Sequence, residues 1–189
     1  MQGLGSVHEP QMPSREFLVE VMSPVYLLKL CYSIYVSKCV EVPLFFLPAW
    51  FLRTQVLNPM MMATTGSVKA MQIALEKHSW AINLAGGYHH ATRCSGGGFC
   101  IYPDITFMVH FARKWYGIKR VFIVDLDAHQ GNGHERDWTG DQDVHIMDVY
   151  NHHIYPGDTV ALEGIKTEIK VTSNTSDEEY LRKVAQKLD

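Results

Sequence analysis

The 189-residue sequence has few of the features that mark disulfide-rich or membrane proteins. Four cysteines are too few for a small disulfide scaffold, and Cys31, Cys39, Cys94 and Cys100 lack the close pairing of a zinc ribbon. The most apolar stretch, Val40 to Leu52, contains two prolines and falls short of the roughly 20 apolar residues that a membrane-spanning helix needs. We therefore expect no insertion into a membrane.

Basic tracts and phosphate-binding motifs are also missing. The net charge is −3 and no basic cluster is present, which argues against direct nucleic-acid binding. The glycine run Gly96–Gly98 is not part of a G-K-[ST] or G-x-G-x-x-G motif. The first 14 residues lack a basic start followed by an apolar block, so no secretory signal is visible, and the thiols then indicate the cytosol or nucleus.

The hydrophobic content of 47% excludes a disordered tail, and its patterning predicts an α/β fold. We predict a helix ending near His78, a strand over Trp80–Leu84, a helix over Asp104–Trp115, and strands over Val121–Leu126 and Val144–Val149. Strands that alternate with helices indicate parallel β-α-β units, and continuous apolar strands indicate a sheet covered on both faces. The sequence therefore predicts a doubly wound parallel sheet.

The two ends of the chain differ in character. Residues 1–13 are expected to be irregular, and one domain is expected over residues 14–189. Near the end, Ser176 and Glu179 form a capping box, and Leu181, Val184 and Leu188 mark one face of the helix that follows. A helix with such an apolar stripe needs a sheet to cover, so the sheet is expected to be incomplete on its C-terminal side.

Polar residues follow the predicted strands at the points where the strands end. His89 and His90 come after the first strand, Asp125 and Asp127 close the second, and Tyr155 belongs to the segment after the third. In open α/β sheets, ligands bind beyond the carboxyl ends of the strands. Three loops are thus expected to deliver polar groups to one edge of one sheet.

A metal ion is one expected ligand at this edge. Asp127 and His129 offer a carboxylate oxygen and an imidazole nitrogen, both ordinary zinc donors, although the same pair also occurs as two solvated loop residues. Asp125 lies in an apolar strand and needs a partner if it is buried and ionised. That partner is a histidine N–H or a cation in one interpretation, and loop amides in the other.

The adjacent histidines and the glycine run have similar double interpretations. His89 and His90 follow a glycine pair and could supply a general base and an electrostatic helper, or lie on the surface. The run Gly96–Gly98 suits a close approach of backbone to ligand better than a flexible loop, with Phe99 as an apolar wall. His134 is expected to be solvated or to support another site residue.

Four motifs in order resemble the zinc-dependent histone deacetylase family. They are Gly86-Gly-Tyr-His-His90, Gly97-Gly-Phe-Cys100, Asp125-Leu-Asp-Ala-His-Gln-Gly-Asn-Gly-His-Glu135 and Ile154-Tyr-Pro-Gly157. The segments Gln130 to Arg136 and Met147 to Asn151 resemble the class IV (histone deacetylase 11-like) branch. The resemblance extends from about Ser14 to Asp189.

This resemblance implies an arginase-like parallel sheet, a zinc cofactor and hydrolysis of ε-N-acyl-lysine. It implies that Asp127 and His129 are zinc ligands, that His90 is the general base, and that His89, oriented by Asp125, stabilises charge. By the same resemblance, Gly98, Phe99 and Tyr155 line the tunnel for the lysine side chain, and Asn132 stands where many family members have an aspartate that supports the second histidine.

Other implications concern partners and completeness. Expected partners are the acetylated lysine of a histone or another protein, and corepressor proteins, in the nucleus and secondarily in the cytoplasm. The family's third zinc ligand, an aspartate, and its transition-state tyrosine are expected beyond Asp189, so this chain alone is expected to be a poor or inactive deacetylase. Two alternatives remain: an arginase-like two-metal hydrolase, which would need a carboxylate where Gly131 stands, and a non-catalytic interaction fragment.

Overall fold

The computed structural model describes residues 5–188, so the outer ends of the predicted segments 1–13 and 14–189 lie outside the described residues. Residues 5–13 have no regular secondary structure. The first helix begins directly after Ser14, whose hydroxyl accepts a hydrogen bond from the Phe17 amide at 3.3 Å. This N-cap satisfies one of the free amides at the start of the helix.

The N-terminal part of the chain is helical. The helices are α1 (Arg15–Val21), α2 (Pro24–Lys29), α3 (Ser33–Val40), α4 (Ala49–Leu52), α5 (Asn58–Lys77) and α6 (Asp104–Tyr116), with a π-helical turn at Arg53–Leu57 between α4 and α5. Their apolar faces form one core, in which Phe17 of α1 stacks on Phe107 and Phe111 of α6. The predicted helices ending near His78 and over Asp104–Trp115 are both present.

A parallel sheet follows, with strands β1 (Val121–Asp125), β2 (Val144–Asn151) and β3 (Thr167–Val171) in that order. Helix α7 (Asn132–Trp138) connects β1 to β2. The register pairs Val121 with Val144 and Asp125 with Asp148, so the carboxyl end of β1 lies beside the middle of β2. The strands predicted over Val121–Leu126 and Val144–Val149 are confirmed as β1 and β2, with ends that differ by one or two residues.

Helices pack on both faces of this sheet. Ile146 of β2 packs with Val109 of α6 and Trp138 of α7, whereas Met147 packs with Tyr180 and Val184 of α8 (Asp177–Leu188). Successive side chains of a strand point to opposite faces, so these two clusters lie on opposite sides of the sheet. The predicted doubly wound α/β architecture is confirmed. The predicted cap of α8 is also present, because the Ser176 hydroxyl accepts from the Glu179 amide.

Two sequence-based predictions about burial are wrong. Residues 80–84 form no strand, and Trp80 and Leu84 are 79% and 98% exposed. A strand requires a neighbour to bond with, and no strand of the described chain lies beside this segment. Strand β1 is covered on one face only, since Phe122 and Val124 are exposed on the other.

Within residues 5–188 no helix is long and apolar enough to cross a membrane.

Candidate active site

Polar residues gather at the carboxyl ends of β1 and β2. Asp127 and His129 lie on the loop that leaves β1, and Tyr155 lies on the loop after β2. The two loops are joined by a hydrogen bond from the Asn151 amide to the Ala128 carbonyl at 2.9 Å. This is the edge of the sheet at which the sequence predicted a ligand.

The His89–His90 loop reaches this edge without a strand to place it. The Asp104 carboxylate, fully buried at the start of α6, accepts from the amides of Gly87 and Tyr88, each at 2.8 Å. On the other side, the Gly133 amide of α7 donates to the His89 carbonyl at 2.7 Å. A Cβ at Gly133 would lie 2.6 Å from that carbonyl oxygen, so glycine permits this close approach of helix and loop.

The predicted site residues lie close together. His89 Nε2 is 3.7 Å from the Asp127 Oδ1 atom, and the ring centroids of His90 and His129 are 5.9 Å apart. The Tyr155 ring contacts both, with centroid distances of 5.0 Å to His90 and 6.1 Å to His129. Both histidines of the pair are buried, whereas Asp127 and His129 are about half exposed, so the pocket is open on one side.

Asp125 is the buried anchor of the site. Its Oδ2 atom accepts from His89 Nδ1 at 2.8 Å and from His134 Nε2 at 2.9 Å, and its Oδ1 atom accepts from the Asp127 amide at 3.0 Å. Burial alone would raise the pKa of Asp125, but the hydrogen bonds from His134 and His89 outweigh it and hold the pKa far below its usual value. Both predicted kinds of partner, imidazole N–H and loop amide, are therefore present.

The pKa values of the two adjacent histidines are shifted in opposite directions. Burial lowers the pKa of His89, but the hydrogen bond to Asp125 and its charge outweigh burial, so the pKa is raised overall. Burial and then the neighbouring His89 lower the pKa of His90, and its hydrogen bond to Asn132 only partly offsets this. A pKa below the ordinary value leaves His90 neutral at neutral pH, as a general base must be, and the raised pKa of His89 shifts that ring toward the charged form.

Asn132 lies where the sequence predicted a support for His90. Its Oδ1 atom is 2.8 Å from His90 Nδ1. Its amide nitrogen donates to Asp158 at 3.1 Å, and Asp158 in turn is held by Arg136. The supporting amide is therefore fixed on both sides.

Two groups of side chains have the composition of a metal site. His89, Asp125 and His134 place one ligand atom each within 4.8 Å of one another, but two imidazole nitrogens there already share a single carboxylate oxygen in hydrogen bonds. At Asp127 and His129, the Oδ1 and Nδ1 atoms are 3.1 Å apart, which is also hydrogen-bond distance, but both side chains are about half exposed and share no buried partner. Zinc–ligand distances of about 2.0–2.2 Å place two donors of a tetrahedral ion about 3.4 Å apart, so this second pair fits a shared ion.

Gly98, Phe99 and Tyr155 border the pocket. A Cβ at Gly98 would clash with the ring of His90, and the residue has a φ of +52°, so both the space and the backbone favour glycine there. Phe99 is 59% exposed beside it. Burial, followed by the nearby Glu41, raises the pKa of Tyr155 to about 12, so its hydroxyl stays neutral. Glu41 itself accepts from the Gly98 amide at 2.9 Å.

Of the two roles expected for His134, the structure shows the second, because its ring is buried and supports Asp125 through a hydrogen bond. Several other residues that shape the site were not identified from the sequence. Asp148 accepts from the Gly131 amide at 2.8 Å, while burial and this neighbouring acid raise the pKa of Glu135 to about 10. Asp148 could have been found from the sequence, because it is an acidic residue within a mostly apolar strand, as Asp125 is. No local pattern marks Asp104 or Asp158.

The chain is similar in sequence to proteins of known family. A family model described as "Histone deacetylase domain" matches residues 6–188. Histone deacetylase 2 of Arabidopsis thaliana is 43% identical over 185 residues, which are 97% of this chain and 48% of that protein. The chain therefore spans about half the length of this relative.

Solved structures agree with this result at the level of the fold. The crystal structure of an HDAC homolog complexed with SAHA matches with a TM-score of 0.71 and 20% identity, over 95% of this chain and 51% of that one. An HDAC homolog from Aquifex aeolicus matches with a TM-score of 0.69 and 19% identity, over 92% and 50%. With the family match over nearly the whole chain, these findings establish that the chain belongs to the histone deacetylase domain family.

Proposed function

We propose that this chain carries the histidine pair and two of the metal ligands of a zinc-dependent deacetylase that hydrolyses ε-N-acetyl-lysine. The observation that carries the proposal is the 3.7 Å separation of His89 Nε2 from Asp127 Oδ1, with the His90 and His129 rings adjacent. A general base and a candidate metal pair thus face one pocket.

Asp127 and His129 are the residues that would hold zinc. A bound zinc ion polarises a carbonyl and lowers the pKa of its water, which is the chemistry that amide hydrolysis needs. Their 3.1 Å separation and their partial exposure leave room for the ion and for further ligands. Catalytic zinc normally has three protein ligands, and this pair supplies two of them.

The histidines divide the proton chemistry between them. His90 is neutral and, with Nδ1 bonded to Asn132, keeps Nε2 free to take a proton from the attacking water and return it to the leaving lysine amine. His89 favours the charged form beside Asp125 and stabilises negative charge that develops in the pocket.

The rim suits the aliphatic part of an acyl-lysine. The Phe99 side chain, the Tyr155 ring and the backbone of Gly98 surround the approach to His90. An apolar passage of this kind accepts the four methylenes of lysine and penalises a free ammonium group, which would lose its hydration. Acetylated lysine of a histone or of another protein is the substrate class that we propose.

The finer assignments are proposals on the same basis. The segment Gln130 to Arg136 supports a place in the class IV branch, because the amide of Asn132 stands where other family members have a carboxylate. We propose a nuclear location, with the cytoplasm second, and corepressor proteins as partners of the full-length protein. The net charge of −3 and the lack of a basic cluster argue against direct nucleic-acid contact.

Two alternatives predict different metal contents. An arginase-like two-metal hydrolase would need a bridging carboxylate at Gly131, where a Cβ would already lie 2.4 Å from Asp125. A non-catalytic interaction fragment would hold no zinc. The proposed deacetylase predicts one ion.

The experiment is an assay of the purified chain on an acetyl-lysine peptide with added zinc. We expect turnover that is slow, because the two ligands Asp127 and His129 hold zinc more weakly than the three protein ligands of an ordinary catalytic site. A chelator and His90→Ala should abolish it, whereas the exposed control His8→Ala should not. Turnover that is equal in the wild type and His90→Ala would contradict the proposal.

A further inference from the structure

A series of hydrogen bonds between side chains leads from His90 away from the pocket. His90 Nδ1 contacts Asn132 Oδ1 at 2.8 Å, and Asn132 Nδ2 donates to Asp158 Oδ2 at 3.1 Å. Asp158 also accepts from Arg136 Nε and Nη2 at 2.6 and 2.5 Å, and from the Ala161 amide at 3.2 Å. The proposed reaction uses only the first of these contacts.

The orientation of the Asn132 side chain decides which nitrogen of His90 carries the proton. An amide side chain presents an acceptor on one side and donors on the other. With the oxygen toward His90, Nδ1 must donate and Nε2 remains a free acceptor. With the amide flipped, Nδ1 would accept, Nε2 would carry the proton, and the ring could not take another from water.

Asp158 distinguishes between these two orientations. An ionised carboxylate has acceptors only, so it favours the NH₂ group of Asn132 and disfavours its carbonyl oxygen. Arg136 keeps Asp158 ionised and in place through two hydrogen bonds. The backbone of Asp158 is fixed as well, because its amide donates to Gln130 Oε1 at 3.1 Å and its carbonyl accepts from Gln130 Nε2 at 3.0 Å.

We infer that Asp158 is a positioning residue that sets the tautomer of His90 by fixing the orientation of the Asn132 amide. The inference rests on the proposed function in one respect only, because the proposed reaction is what uses the free Nε2 atom. Asp158 lies 26 residues from Asn132 along the chain, and its side chain bonds to Asn132 rather than to His90.

The test measures the His90 tautomer directly by ¹⁵N NMR of the metal-free chain, at a pH well above the ordinary imidazole pKa of about 6.5. In the wild type we expect the proton on Nδ1. In Asp158→Ala, the ratio of the Nδ1–H to the Nε2–H form should fall roughly tenfold, the effect of losing one hydrogen bond to a charged group. The matched control is Asp141→Ala, which removes a similar two-bond pair with Arg113 elsewhere in the fold.

An unchanged tautomer ratio in a folded Asp158→Ala variant would overturn the inference, as would an equal change in Asp141→Ala. If Asp158→Ala does not fold, the wild type decides, because a His90 proton found on Nε2 contradicts the proposed orientation by itself. The NMR measurement of the tautomer does not depend on catalytic turnover. An inactive chain with the expected tautomers would leave this inference standing while the proposed function fails.

Discussion

The substitution Asp125→Asn tests the buried network under the pocket. Asp125 Oδ2 accepts two imidazole N–H groups and Oδ1 accepts the Asp127 amide, at 2.8, 2.9 and 3.0 Å. Asparagine has the same shape but one acceptor oxygen, so its NH₂ group must face either the two imidazole N–H groups or the Asp127 amide. It also lacks the charge that strengthens the two imidazole bonds.

The expected loss of stability follows from these contacts. A hydrogen bond to a charged group contributes about 1 kcal/mol more than a neutral one, and an unsatisfied buried donor costs about 1–3 kcal/mol. With two weakened bonds and one opposed donor, Asp125→Asn should lower the free energy of unfolding by about 3–5 kcal/mol. The control Asp127→Asn, in which the carboxylate is 53% exposed, should change it by less than about 1 kcal/mol.

The pH dependence of the stability difference between the wild type and Asp125→Asn provides a second check. The lowered pKa of Asp125 stabilises the fold above its unfolded value of about 3.9, and this contribution is lost as the pH falls. The raised pKa of His89 stabilises the fold below its unfolded value of about 6.5, and this contribution is lost as the pH rises through the folded value. The gap between wild type and Asp125→Asn should therefore be widest between about pH 4 and 6.5.

Urea denaturation of both variants across this pH range is the assay, with NMR titration of His89 beside it. Without the Asp125 charge, burial dominates, so the pKa of His89 should fall below its ordinary value. A folded Asp125→Asn variant within about 1 kcal/mol of the wild type at neutral pH would refute the reasoning, because the hydrogen bonds would then not hold the network.

Three further predictions concern other parts of the fold. Gly98→Ala should cost about 1–3 kcal/mol of stability and shift the NMR signals of His90, whereas Gly117→Ala, with similar backbone strain but open space around it, should leave those signals unchanged. Asp141→Asn should lower stability at neutral pH, and this loss should shrink below about pH 4 and vanish only below about pH 2, where Asp141 is protonated and Arg113 has lost its ionised partner. Acid titrations in which the stabilities of the wild type and this variant stay parallel would contradict this. Trp80→Ser should change the unfolding free energy by no more than about 0.5 kcal/mol, because the ring is exposed; a loss of several kcal/mol in urea denaturation would restore the buried strand that the sequence predicted.

The sequence predicted those elements whose signals are local. Strand β2 consists mostly of apolar residues, and the capping box marks the start of α8, so both elements could be predicted from neighbouring residues. Of the predicted apolar face of α8, Val184 packs on the sheet, whereas Leu181 and Leu188 are exposed. Residues 80–84 carry the same apolar signal, but a strand depends on a partner far away in the chain. The pattern therefore could not distinguish a paired strand from an exposed extended segment.

The site residues also divide into those with a local sequence signal and those placed by contacts between distant parts of the chain. Asp127 and His129 are two residues apart, and their proximity to each other was predictable from the chain alone. The contact of Asp158 with Asn132 and the contacts of Asp104 with the histidine loop join residues 16 or more positions apart. Such contacts depend on how α6, α7 and the loop after β2 pack, and that packing is not encoded in any short motif.

Zinc titration of the purified chain by calorimetry tests the central claim most directly. We predict one zinc ion per chain, with an affinity that falls by at least about tenfold in Asp127→Asn and in His129→Ala. The exposed control His8→Ala should bind zinc as the wild type does. Two ions per chain, or binding unchanged in both ligand variants, would contradict the assignment of a single zinc site to Asp127 and His129.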